Sequence, residues 1–321
     1  MKEKSFKKRI SYNGDLKDIS LQICKDYKLG GFKSNKIILM GYEDFNFILQ
    51  TTKSKYFVKI FSNSRTIDDC HRYVEIMEKA IEAKIATPKL YKLDNGYLYT
   101  NKINKTNIRL CVMGFINGKT IFESGAKLNK DEIRFIAKQV SLINSIDLKP
   151  KFMEDEWAVT NFLKEFEKKK SVLSKEDLGL IGPLVKKFNE LEIEKLPRCF
   201  VHGDLIVTNI MKDNQNKLWL IDFSVSNYYP RIQELAVLSC NLFFNPANKK
   251  NSQDNIEILL KEYQKAIKLT NEELNVLPIY IELAHAMHLL CANFDKIVNK
   301  NTSEENEYWL NQGRTGLKQG K

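Results

Sequence analysis

An α+β chain is predicted, with an antiparallel sheet gathered in its first part and helices filling most of the remainder. Three observations predict it. Strand-like runs at 36–41, 45–49 and 55–61 follow one another across short turns, helical periodicity takes over from about residue 119, and a compact hairpin pattern at 199–222 interrupts the helices. With 321 residues, 43% hydrophobic and 11% aromatic, the chain exceeds one small core and has ample apolar surface to bury in two.

The elements can be justified in order. Turn residues at Gly41-Tyr42-Glu43-Asp44 and Thr52-Lys53-Ser54 separate the first three strands. Thr66-Ile67-Asp68-Asp69 is a Ser/Thr-x-x-Asp/Glu cap opening a helix that carries Glu75, Glu78 and Glu82. Strands are expected at 97–100 and 108–113, the second leading into Gly114-Phe115-Ile116-Asn117-Gly118-Lys119-Thr120. Asn129-Lys130-Asp131-Glu132 caps a helix whose Ile133, Ile136, Ala137, Val140 and Ile143 form one apolar stripe. Further helices are expected at about 155–170, to about 191 after Ser174, at 256–268, and from Leu274 after a Thr270-Asn271-Glu272-Glu273 cap. The change of pattern divides the chain into domains 1–115 and 116–321.

Composition excludes several classes of function. The first nine residues hold no apolar segment, and the most apolar long window, 276–294, contains Pro278, Glu282, His285 and His288, as a buried helix does and a membrane span does not. Six scattered cysteines without a Cys-x-x-Cys pair suggest neither zinc nor a disulfide scaffold, and a reducing cytoplasm is the simplest compartment. The charge of +11 comes from lysines spread through the chain among 40 acidic residues, with no arginine-aromatic track, so no nucleic-acid partner is expected. His285 and His288 share a helix face among Ala, Met and Leu. They are read as core or pocket-lining residues, and Trp309 as a helix-packing one.

The chemistry is concentrated in Val201-His202-Gly203-Asp204-Leu205-Ile206-Val207-Thr208-Asn209-Ile210 and Trp219-Leu220-Ile221-Asp222-Phe223. Asn214-Gln215-Asn216 turns the chain between two short strands, which puts Asn209 and Asp222 at one end of a hairpin and Asp204 in the loop leading into it. One amide and two carboxylates meeting there suit phosphoryl transfer, which needs oxygen ligands for Mg²⁺ and a carboxylate to orient the attacking hydroxyl.

His-Gly-Asp-x-x-x-x-Asn followed by Ile-Asp-Phe resembles the catalytic segment of the aminoglycoside phosphotransferase and choline kinase superfamily. Gly203 and Ser224 stand where protein kinases carry Arg and Gly, which favours a small-molecule kinase. The resemblance implies a protein-kinase-like two-lobe fold, its N-lobe an antiparallel sheet plus helix and its C-lobe mostly helical. It implies Asp204 as the catalytic or orienting carboxylate, Asn209 and Asp222 as Mg²⁺ ligands, and His202 as a scaffold. For ATP it implies Gly41 and Asn46 in the phosphate-covering turn, Lys59 on the α- and β-phosphates, Glu75 (with Glu78 as fallback) as the partner of Lys59, and the backbone around Met113 and Phe115 beside adenine. Pro230-Arg231-Ile232-Gln233-Glu234-Leu235-Ala236 resembles a helix start whose acid braces the catalytic loop, with Glu234 in place of Asp.

The acceptor is expected to be a small metabolite hydroxyl, most nearly an amino alcohol such as homoserine or choline. Residues 263–290 loosely resemble the end of type II homoserine kinases. An aminoglycoside is the next choice, and a catalytically silent kinase-fold binding module is the alternative from another class.

Overall fold

The computed structural model describes residues 7–39 and 44–320. The chain divides into two compact units, Met1–Gly118 with Lys212–Ile221, and Lys119–Met211 with Asp222–Lys321. The change expected after residue 115 thus comes after Gly118, and the short return of 212–221 to the first unit was not foreseen.

The first unit begins with helix α1 (Leu16–Asp26), absent from the expectations above, whose Asp15 cap accepts the Lys17 amide at 2.9 Å. Strands β1 (Phe32–Ile38), β2 (Phe45–Thr51), β3 (Lys55–Ile60), β4 (Tyr99–Ile103) and β5 (Thr106–Gly114) form one antiparallel sheet in the order β1-β2-β3-β5-β4. Its period-two logic is plain in β2, where Phe45, Phe47, Leu49 and Thr51 point inward. Those three apolar residues join Val58, Ile60, Leu110 and Val112 and the α1 residues Ile19 and Ile23 in one core cluster. Helix α2 (Ile67–Glu82) starts at the Thr66/Asp69 capping box and buries Cys70, Tyr73, Val74, Met77 and Ala80, a stripe at helical spacing.

The second unit is mostly helical. After β6 (Gly118–Thr120) come α3 (Ile121–Ser124), α4 (Lys130–Asn144), α5 (Phe162–Lys169) and α6 (Lys175–Asn189). Strand β7 (Arg198–Val201) leads to the loop 202–209, β8 (Ile210–Asp213) and β9 (Leu218–Leu220) form a hairpin whose residues 212–220 belong to the first unit, and β10 (Asn227–Pro230) returns antiparallel to β7. Helices α7 (Ile232–Asn241), α8 (Lys249–Tyr263), α9 (Asn271–Ile297) and α10 (Glu304–Gln319) complete the chain.

Among the described residues α9 is the one helix long and apolar enough to cross a membrane, but His285 to Asn293 are all buried inside the unit. Its first turn is tied to the start of α7 by Arg231, whose two nitrogens each reach the Glu273 carboxylate at 2.6 Å. Helix α10 lies unusually close to α9. A Cβ on Gly313 would fall 2.6 Å from both the His285 carbonyl oxygen and the Leu289 amide nitrogen, and one on Gly316 would meet the His285 ring. All six cysteines are free thiols.

Candidate active site

Strand β7 delivers the buried Phe200 and Val201 to a tight bend at Gly203, whose φ of +86° lies in the region that glycine alone adopts without strain. The bend leaves two backbone amides pointing inward, and the carboxylate of the fully buried Glu234 takes both: His202 N at 2.5 Å and Gly203 N at 3.3 Å. Burial pushes the Glu234 carboxyl up to about 7, against the lowering effect of those two amides. The longer acid at the start of α7 therefore reaches the catalytic loop. His202 is entirely buried, its ring centroid lies 4.3 Å from that of the tilted Phe223 ring, and it accepts the Asp204 amide on Nδ1 at 3.3 Å. It lies in the scaffold beneath the loop.

Asn209 Nδ2 donates to Asp204 Oδ2 at 2.6 Å and to the Asp204 carbonyl at 2.9 Å. With both amide hydrogens turned to Asp204, the Asn209 side-chain oxygen faces the opposite way, as a metal ligand requires. Asp222 adopts φ +64°, a left-handed conformation that costs a non-glycine residue energy and recurs where function demands it. Its Oδ1 accepts the Ser224 hydroxyl at 2.5 Å. Burial raises the Asp204 carboxyl well above the ordinary range, Asp155 and Asp222 raise it further, and the Asn209 hydrogen bond offsets only part of this. These hard oxygen donors, crowded so that charge is penalised, fit a divalent cation of the Mg²⁺ type.

Two carboxylates beside Asp204 were not anticipated. Asp155 is buried, accepts the Trp157 amide at 2.9 Å, and is pushed up to about 6 by burial and by Glu156. Glu305 on α10 also contributes negative potential at Asp204; burial raises its own carboxyl, while Trp309 lowers it as a hydrogen-bond donor. Aromatic rings continue this side: Trp157 and Trp309 lie 6.1 Å and 5.2 Å from the His288 ring. His288 Nδ1 meets Gln312 Oε1 at 2.6 Å, and Gln312 in turn donates to the Cys240 carbonyl, so His288 is held within the helical packing. Only the acidic character of Asp155 and Glu305 was visible in the sequence, since about 150 residues separate them.

In the first unit, Asn46 and Lys59 stand directly opposite each other on β2 and β3, and the Asn46 side-chain oxygen is buried without a hydrogen-bond partner. Gly41 lies outside the described residues. Glu75 is not brought to Lys59. The inward stripe of α2 sends Tyr73 toward the lysine, its ring 4.9 Å from Nζ, and leaves Glu75 exposed on a surface groove with His71, Glu78, Lys92 and Tyr97. Lys59 Nζ is 3.1 Å from Asp44 Oδ2 instead. Burial favours the neutral Asp44 carboxyl, but Lys59, Arg65 and the Ser62 amide outweigh it and hold the group down to about 2. Met113 is enclosed between Phe57 of β3 and Leu90 on its other side, whereas Phe115, just past the end of β5, lies under the Lys55 ammonium at 5.6 Å. The open backbone at that strand end therefore starts at Phe115.

Known proteins are similar to this chain. The profile of the phosphotransferase enzyme family matches residues 35–257. A homoserine kinase of Rhizobium meliloti (strain 1021) is 21% identical over 271 residues, covering 84% of this chain and 81% of the relative. An amicoumacin kinase, solved with AMP-PNP, Ca²⁺ and its antibiotic, superposes with a TM-score of 0.68 at 16% identity, covering 98% of this chain and 96% of that one. A microcompartment-associated aminopropanol kinase gives 0.69 at 12% identity, covering 94% and 95%. At such identities the solved structures speak for the fold, which is kinase-like as expected. The family match spans most of the chain and takes in β2, Lys59, the Asp204–Asn209 loop, Asp222 and Glu234. The chain belongs to the phosphotransferase enzyme (APH) family and is a phosphotransferase of the small-molecule kinase type.

Proposed function

We propose that this enzyme moves the γ-phosphate of ATP to the hydroxyl of a small amino alcohol, with Mg²⁺ as the metal. The observation that carries the reading is the Asp204–Asn209 pair, in which one side chain fixes the other at 2.6 Å. Asp204 orients the acceptor hydroxyl and receives its proton as the new O–P bond forms. Asn209 and Asp222 would hold Mg²⁺, which when bound supplies charge neutralisation for the transferring phosphoryl group. Glu234 keeps the loop amides paired, so the Asp204 carboxylate stays where the hydroxyl must arrive. On the nucleotide side, Lys59 is the phosphate contact, Asn46 lies beside it, and the backbone at Phe115 is the adenine contact.

An acceptor carrying a positive charge is favoured by the surroundings of Asp204. Asp155, Asp222 and Glu305 make negative potential there, and each is eased by a cation, while the half-buried Trp157 offers an aromatic ring of the kind ammonium groups prefer. A free amino acid needs a cation for its carboxylate as well. The four arginines of the second unit are each paired already, Arg134 with Asp131, Arg198 with Glu194, Arg231 with Glu273 and Arg314 with Asp177. Choline-like or aminopropanol-like acceptors are therefore preferred. Homoserine is the second reading, favoured by the curated relative, and an aminoglycoside the third. An ADP-release assay over amino alcohols, homoserine and aminoglycosides tests this. Specificity constants highest for an amino alcohol without a carboxylate support it, and a clear preference for homoserine overturns the choice of acceptor.

A further inference from the structure

In the first unit, Lys59 is gripped from an unexpected direction. Asp44, at the start of β2, is nearly sealed from solvent, with its side chain 2% exposed. One oxygen faces Lys59 Nζ at 3.1 Å, and the other accepts from Arg65 Nε at 2.9 Å and the Ser62 amide at 3.0 Å. The Asp44 carbonyl accepts from Arg9 Nη1 at 3.1 Å, which fixes the backbone too. Helix α2 presents the Tyr73 ring to the lysine, and its Glu75 faces water.

We infer that Asp44, rather than Glu75 of helix α2, is the positioning residue that aims Lys59 at the phosphates of the nucleotide. A lysine ammonium on a flexible four-carbon stem contacts phosphate reproducibly only if something fixes it, and a buried carboxylate held by three donors is a rigid anchor. Asp44 lies two residues before Asn46, which is itself opposite Lys59. The aim of the lysine is thereby tied to the start of β2. This rests on the kinase reading above, because it assumes that Lys59 serves a nucleotide.

Isothermal titration calorimetry with Mg²⁺-AMP-PNP and, separately, with adenosine tests the inference without needing the acceptor. Asp44→Asn is expected to weaken Mg²⁺-AMP-PNP by about tenfold or more, the scale of a charge-assisted contact, while adenosine affinity holds within about twofold. Glu75→Gln is expected to leave both ligands unchanged. Asp44→Glu, which keeps the carboxylate, should recover part of the loss, and Asp44→Asn should add nothing in a Lys59→Met background. A larger effect from Glu75→Gln than from Asp44→Asn would overturn the inference. So would parallel loss of adenosine and AMP-PNP, the mark of a scaffold role alone. If Lys59→Met weakens AMP-PNP and Asp44→Asn does not, the inference fails and the kinase reading stands. If the unaltered protein binds no nucleotide, both fail.

Discussion

The catalytic segment and the lysine site differ in what organises them. In the catalytic segment, Asp204, Asn209 and Asp222 are tied to one loop and hairpin, and the Asp204–Asn209 contact spans five residues. At the lysine site, the anchoring carboxylate comes from the start of β2, fifteen residues before Lys59, although helix α2 carries several acids of its own. Residues close along a constrained stretch of chain have few ways to be apart. A side chain on a helix meets a strand only if tertiary packing has turned it that way. Chemistry confined to one loop is therefore fixed locally, and chemistry that spans a helix and a sheet depends on the whole unit.

The largest effect should come from the loop. Asp204→Ala is expected to lower kcat by at least ~10²-fold, the usual loss on removing a participating acid or base, with Mg²⁺-ATP binding largely kept. Steady-state kinetics beside a thermal shift with Mg²⁺-ATP measures both, and equal turnover would remove Asp204 from the mechanism. Next, Lys59→Ala should weaken nucleotide affinity by roughly tenfold to a hundredfold, as loss of a charged hydrogen bond does. Unchanged affinity and rate together would refute the nucleotide assignment in the first unit.

A stability test follows, in a part of the second unit that forms by tertiary packing. Gly313→Ala forces a methyl against the backbone of His285 and Leu289, and should cost about 1–3 kcal/mol, the range for an overpacked contact. Urea unfolding measures it, and a stability equal to that of the parent would mean the α9–α10 approach is looser than described.

The smallest effect is a pH signature that separates the units. Burial lowers His285 to about 3, with His288 adding to the shift, and lowers His288 to about 4 despite its Gln312 partner. An unfolded histidine binds its proton near ~6.5, so the unfolded chain gains protons first and stability falls as pH drops from ~6.5 toward 4. Asp44, held down to about 2, contributes stability that is present above ~4 and is lost between ~4 and 2. Glu234, Asp155 and Asp204, whose carboxyls burial raises, act in the opposite sense over the same range, so the histidine signature is a difference: urea titrations should show His288→Gln gaining stability relative to the parent as pH falls from ~6.5 to 4. A difference between the two proteins that does not change from pH ~6.5 to 4 would contradict the burial of His288.

Much of the fold could be read ahead of the structure because its signals are local. The boxes at Thr66/Asp69, Asn129/Glu132 and Thr270/Glu273 all form as their three-residue offsets imply. Helix α1 was missed because a lone Asp15 cap and a modest apolar stripe are weak evidence on their own, and α8 starts at Lys249 because Asn248 caps it earlier than periodicity indicated. Asp204 and Asn209 meet for the same local reason, five residues apart in one loop. Spacing could not show that Glu75 faces water or that Leu90 pairs with Met113: one depends on the rotation of α2, the other on a bridge between distant segments. Asp155 and Trp157 in a loop and Glu305 and Trp309 on α10 come together only through tertiary packing, which no motif encodes.

The most direct test is ADP release from Mg²⁺-ATP with an amino alcohol such as choline or aminopropanol, comparing the unaltered enzyme with Asp204→Ala. Release that depends on both acceptor and Mg²⁺, and that falls at least ~10²-fold in the variant while Mg²⁺-ATP still binds, is the predicted result. Turnover by Asp204→Ala equal to that of the unaltered enzyme would contradict it.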